Sequence, residues 1–199
     1  MPEALFSLIA ATGLLLGSPG PAPLALAASG ATFGVRKSTG FLIGILLGLC
    51  IAIVGATAGV AALLSAWPEA HFIVQVGGAL YIGYIAIKIA TAPVLNPGQS
   101  AETRVPSLLD GFIFNLLNPK AYAAFFAIFS QFLLPIEGHG PSYLVTGLVC
   151  LLVAALVDFL WLCLGGSLRP LFHKPLPARV IRVSFALLMV AAVATVLLR

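Results

Sequence analysis

One carboxylate, Asp158, lies deep inside an apolar tract, Leu156-Val157-Asp158-Phe159, more than a helical turn from either end of it. A charge at the centre of a bilayer costs on the order of 2.5–3.5 kcal/mol on insertion scales, so it needs a partner or a task. Two other stretches offer complementary chemistry. Asn115-Leu116-Leu117-Asn118-Pro119-Lys120 sets an asparagine before a proline and a lysine after it, and Ser18-Pro19-Gly20-Pro21-Ala22-Pro23 has serine then proline 100 positions earlier. Proline lacks an N–H and clashes with the preceding turn, so a helix stops before it and can restart from it, with asparagine or serine capping the restart. Each restart presents free N–H groups and a partial positive charge, which suits a carboxylate. Ser18, Pro19, Gly20, Pro21, Asn115, Asn118, Pro119 and Lys120 are therefore candidate ligands of an anionic group, and Asp158 of an ammonium or a coupling proton. Lys120 is also the natural partner of Asp158, as a static tie between spans or as part of a working pair. A plain proline kink explains one such break. Two at matching positions favour a site, because unpaired backbone at membrane depth is tolerated where it is buried in protein or lines a wet cavity.

The elements that must carry these residues follow from composition. The chain has 61% hydrophobic and 8% charged residues, with a mean hydropathy of +1.13, spread over long tracts that a water-soluble domain of this length could not cover. Six tracts approach the roughly 20 apolar residues that a membrane helix needs: 4–28, 40–64, 71–91, 108–133, 142–166 and 178–198. A β-barrel requires alternating polarity, whereas residues 41–62 are apolar on all sides. The first tract resembles a secretory signal, with Ala25-Leu26-Ala27 as a cleavage site, but it lacks a basic leader and runs long. The expectation is an all-α polytopic membrane protein of six spans, the first and fourth broken at the proline motifs.

Basic residues set the orientation. Arg36 and Lys37 follow the first span, Lys88 and Arg104 flank the loop between the third and fourth, and Arg169, Lys174, Arg179 and Arg182 flank that between the fifth and sixth. The loops carrying Glu69 and Glu137 have no basic residue and are expected outside with both termini. Three spans entering from one side and three from the other make two inverted three-helix repeats, 1–95 and 108–199, joined by a cytoplasmic linker at 96–107. The net charge of +4 is thereby a topology signal, and no nucleic-acid surface is expected.

The strings Pro19-Gly20-Pro21 followed by Gly30, Gly34, Gly40 and Gly44, Gly78-Ala79-Leu80-Tyr81-Ile82-Gly83-Tyr84, and above all Gly111-Phe112-Ile113-Phe114-Asn115-Leu116-Leu117-Asn118-Pro119-Lys120 resemble the lysine and homoserine/threonine exporters, the LysE/RhtB-type translocators. The resemblance covers essentially the whole chain. It implies an inner-membrane secondary transporter that exports amino acids, driven by the proton gradient with alternating access, and a homodimer as an assembly. Members often carry a polar residue after the first proline-glycine-proline; Ala22-Pro23 stands there instead, which points to a neutral amino acid.

Other features are read as structural. Gly40, Gly44 and Gly48 have small-xxx-small spacing that suits close helix packing. Tyr81, Tyr84 and Gln131 could donate to a substrate, although interfacial roles explain them equally. A thiol-disulfide carrier would need cysteines beside the breaks, and Cys50, Cys150 and Cys163 lie elsewhere in apolar surroundings. A divalent metal-ion transporter would need more than one intramembrane carboxylate. A non-transporting scaffold predicts that Asp158→Asn and Asn118→Ala leave flux untouched. No nucleophile-base pair or phosphate-binding loop is present, so neither an enzyme nor a cofactor or metal site is expected, and energy must come from a gradient.

Overall fold

The computed structural model describes residues 1–58, 76–77, 80, 82–87, 90–91, 105–168, 170 and 175–197. Their main elements are α1 (Pro2–Gly17), α2 (Pro21–Phe33), α3 (Val35–Thr57), α4 (Leu108–Leu116), α5 (Pro119–Gln131), α6 (His139–Ser167) and α7 (Pro175–Leu197). Helices α3 and α6 are each long and apolar enough to cross a membrane. The pairs α1/α2 and α4/α5 are long and apolar enough when each is taken together, with bends of 65° and 60° at the break, which makes two to four candidate spans among the described residues. Both breaks fall at the proline motifs, and α7 coincides with the last apolar tract. Nearly half of the third tract, with Tyr81 and Lys88, and also Glu69, Arg169, Lys174 and residues 96–104 lie outside the described residues.

The breaks differ in their caps. Asn118 is the N-cap of α5, its Oδ1 accepting from the Lys120 amide at 3.2 Å, with Pro119 in the first turn. At the other break the expected cap moves. Ser18 closes α1, its hydroxyl donating to the Leu15 carbonyl at 3.0 Å, and Gly20 is the N-cap of α2 without a side-chain bond. Serine before Pro19 cannot cap a helix whose first-turn proline is Pro21. The first loop is also shorter than basic residues alone suggest: Gly34 separates α2 from α3 at φ 88, in the left-handed region that favours glycine, and Arg36 and Lys37 sit exposed in the first turn of α3.

All 13 residues of α2 are buried, and close helix crossings hold it and its neighbours. A Cβ on Gly165 of α6 would run into the Ala27 carbonyl of α2, and one on Gly30 into the Leu162 carbonyl of α6. At the α3–α4 crossing a Cβ on Gly44 would strike the Leu108 carbonyl, one on Gly111 the Phe41 carbonyl, and one on Gly48 would lie 2.9 Å from Asn115 Cβ. The glycine spacing in α3 thus serves packing within the chain, where small residues let backbones touch. At the start of α4, Ser107 and Asp110 form a capping box, with the Ser107 amide donating to Asp110 Oδ2 at 2.7 Å. Asp110, which sequence inspection passes over, is thus engaged at a helix end.

Two large apolar clusters form, one on each side of the breaks, beside a small one in which Ala31 meets Leu168 and Ile181. The first gathers Leu24, Phe41, Ile45, Phe114, Leu162 and Met189; the second gathers Leu8, Leu49, Phe125, Ile128, Phe129 and Ala154. Along α6 the inward positions Ala154, Asp158 and Leu162 are four apart, one helical face. Asp158 therefore lies in the layer between the clusters. Large apolar side chains such as Phe6, Leu14, Leu152, Leu156 and Leu187 cover the outside, a surface that suits lipid and would be an aggregation patch in water.

Candidate functional site

Each break is stapled by an aromatic side chain from a neighbouring segment. The Trp161 indole N–H donates to the Gly17 carbonyl at 3.1 Å, and the Tyr122 hydroxyl donates to the Leu116 carbonyl at 2.9 Å. Both satisfy carbonyls that a stopped helix leaves without an intrahelical donor. Trp161 and Tyr122 carry no spacing signal, and their part in the site is visible in three dimensions alone. Asn118→Ala removes the side-chain cap of α5, which ordinarily contributes about 0.5–2 kcal/mol. The expected result is a lower melting temperature in detergent with α5 frayed at its start. An unchanged melting temperature would mean that Pro119 alone holds the restart.

The two breaks meet. Lys120 Nζ donates to the Ser18 carbonyl oxygen at 2.7 Å and to Ser18 Oγ at 2.8 Å, across 102 positions of sequence. Beside this contact is a cavity of about 20 Å³, lined by Leu16, Leu49, Asn115, Asn118, Lys120 and Asp158 together with Ala22, Pro23 and Ala121. Asp158 is 5% exposed and Asn115 1% exposed. Asn115 Nδ2 has no hydrogen-bond partner, and the Asp158 carboxylate has none among the described residues. A buried carboxylate without a hydrogen bond and a buried amide donor without an acceptor, facing one cavity, are costly unless something else completes them.

The expected residues are therefore largely brought together, with a different wiring. Asn115, Asn118, Lys120 and Asp158 share the cavity wall. Ser18 contacts Lys120 from an exposed position, and Gly20 is packed so closely that a Cβ there would lie 2.7 Å from Lys120 Nζ. Pro19 is exposed; Pro21 and Pro119 begin the restarted helices. Tyr81 lies outside the described residues. Lys120 does not reach Asp158 for an ion pair; its ammonium is taken by Ser18.

The restarts also offer fewer amides than helix ends usually do. Pro21 and Pro23 occupy two of the first three positions of α2 and have no N–H, which leaves Ala22. At α5, Pro119 has none, the Lys120 amide is held by Asn118 Oδ1, and the Ala121 amide donates to the Asn118 carbonyl at 3.1 Å. Positive potential in the cavity thus comes mainly from the Lys120 ammonium, with Asn115 Nδ2 as a second donor. Leu16, Ala22, Pro23, Leu49 and Ala121 supply an apolar wall. Of these, Ala22-Pro23 stands out in sequence; Leu16 and Leu49 are indistinguishable from other span residues.

The geometry offers an anion-accepting and a cation-accepting pole with an apolar side, at the junction of two broken helices. Residues 13–199 match the family model described as LysE type translocator. The chain is 30% identical over 161 residues to a Vibrio cholerae protein described as an uncharacterized membrane protein, covering 79% of this chain and 78% of that one. It is 34% identical over 119 residues to a leucine efflux protein of Salmonella typhimurium, covering 58% of this chain and 56% of that one, and 27% identical over 158 residues to a homoserine/homoserine lactone efflux protein of Salmonella typhi, covering 78% and 77%. No solved structure matches it. With the family model covering nearly its whole length, the chain belongs to the LysE type translocators, membrane transporters and not enzymes.

Proposed function

We propose that this protein is a secondary exporter of neutral amino acids across the cytoplasmic membrane, working by proton antiport and alternating access. The observation that carries the reading is the junction of both helix breaks at one cavity that holds a buried carboxylate, an ammonium bonded to Ser18 and an amide donor without an acceptor. Asp158 takes the substrate ammonium or the coupling proton, Lys120 and Asn115 take its carboxylate, and the wall of Leu16, Ala22, Pro23 and Leu49 accepts an uncharged side chain. Leucine and homoserine, named in two sets of relatives, have this form.

A cavity of about 20 Å³ accommodates a water and not an amino acid. Loading therefore requires the walls to part, and rocking of one inverted repeat, 1–95, against the other, 108–199, would open the cavity to each side in turn. In this arrangement 96–107 is a cytoplasmic linker, both termini are outside, and a homodimer is compatible with the exposed apolar faces. Divalent-cation transport fits less well, because Asp158 is the one carboxylate on the described cavity wall and shares it with a lysine, which repels a cation.

Uptake of labelled amino acids into everted vesicles tests the proposal. Leucine and homoserine are expected to accumulate when the vesicle interior is acidic, to lose accumulation when the gradient is collapsed, and to outcompete lysine. Flux of no amino acid above that of empty vesicles, with or without a gradient, would overturn it.

A further inference from the structure

The partners of Lys120 carry an inference that rests on this reading and sharpens it. Both acceptors of its ammonium, the Ser18 carbonyl and the Ser18 hydroxyl, are neutral, at 2.7 and 2.8 Å. An incoming carboxylate offers the same two oxygens with a full negative charge and competes with them on favourable terms. On the same cavity wall, Asn115 Nδ2 is buried and lacks an acceptor. Ser18 is exposed while Asp158 is buried, so the ammonium stands between an open acceptor and a closed cavity.

We propose that Ser18 is a stand-in for the substrate's carboxylate: it holds Lys120 while the site is empty, and a free carboxylate replaces it. The feature read at this pole is then the carboxylate itself. A carboxyl-blocked analogue, such as an amide or a lactone, leaves the Lys120–Ser18 bond in place. That bond joins the two broken spans, so its exchange for a substrate contact also unties the halves that must move.

The test compares leucine with leucinamide and homoserine with homoserine lactone in everted vesicles, using the wild type, Lys120→Met, Lys120→Arg and Ser18→Ala. Wild-type protein is expected to prefer the free acids by about tenfold or more, the size of a lost hydrogen bond to a charged group. Lys120→Met erases that preference by raising the KM for the acids well beyond any change in the KM for the amide and lactone, and Lys120→Arg retains part of it. Ser18→Ala removes a competing acceptor and lowers the KM for leucine about threefold, a fraction of the same hydrogen-bond effect because the carbonyl remains. Should Lys120→Met fail to reach the membrane, Ser18→Ala decides through the same KM. Equal transport of acid and amide by the wild type, or a Ser18→Ala variant with raised KM for leucine, would overturn the inference. In either case measurable amino-acid flux leaves the export reading standing; absence of all flux removes both.

Discussion

Replacing Asp158 with asparagine is expected to reduce amino-acid export by about 10- to 100-fold, the range that follows from losing a hydrogen bond to a charged group worth about 1.5–3 kcal/mol, while the protein stays at least as stable. The two halves of this expectation come from one observation. Asp158 is 5% exposed, and no described side chain makes a hydrogen bond or close ion pair with it, because the Lys120 ammonium across the cavity is bonded to Ser18. A carboxylate that served the fold would have a partner, and its loss would leave that partner stranded at a cost of several kcal/mol. Here asparagine keeps the shape and relieves a buried carboxylate that accepts no hydrogen bond from a described residue and is compensated only across the cavity by the Lys120 ammonium, so melting in detergent should be unchanged or raised. This is the pattern of a residue kept for activity at the expense of stability. A variant that unfolds would identify Asp158 as a structural group, and one that transports normally would remove it from the site. The pH gradient separates its two candidate tasks. If Asp158 carries the coupling proton, the residual flux of the variant no longer responds to the gradient; if it holds only the ammonium, the response survives.

The second large effect is on folding. Gly165→Ala and Gly44→Ala each place a methyl group against backbone, the Ala27 carbonyl and the Leu108 carbonyl respectively. A flexible side chain could swing aside, but a carbonyl inside a packed helix cannot, so the α2–α6 or α3–α4 pair must separate. Overpacking of this kind typically costs about 1–3 kcal/mol and sometimes more, and for a chain of this size each kcal/mol corresponds to about 2–4 °C in Tm. Each variant should therefore lose several degrees, and transport should fall with it, since α4 carries Asn115 and α6 carries Asp158. Gly13→Ala is the matched control. A Cβ there meets nothing within 4 Å, and relief of glycine's backbone entropy in a helix favours alanine by about 0.5–1 kcal/mol. Equal melting temperatures for Gly13→Ala and Gly165→Ala would mean that the crossings are looser than their backbone contacts indicate.

How much of the site could be read in advance depended on whether the relevant physics is local. The end of α4 and the start of α5 follow from Asn118-Pro119, because capping and the missing proline N–H act within a few residues. The same logic located the first break but assigned its cap to Ser18, where Gly20 holds that position; with three prolines in five residues, sequence alone does not choose which one begins the helix. The free N–H groups expected at each restart are scarce at α2, because Pro21 and Pro23 cannot donate wherever they are placed. The partnership of Lys120 and Asp158 follows from two opposite charges in apolar tracts, and the two do share a cavity wall, but without a direct ion pair, because Lys120 reaches a carbonyl and a hydroxyl 102 positions away.

The residues by themselves determined that this is a helical membrane protein, where two of its spans break, that one carboxylate is buried in a third, and to which family it belongs. These depend on apolar run length, proline stereochemistry, the cost of burying charge and motif identity, all carried by contiguous residues. Tertiary structure decided that the breaks touch, that Ser18 and not Asp158 holds the lysine, and that Leu16, Ala22 and Leu49 share a wall with Asp158. Those facts depend on bends of 65° and 60° and on glycine crossings that bring backbones into contact. Such geometry is a property of distant segments packed together, and no local pattern encodes it.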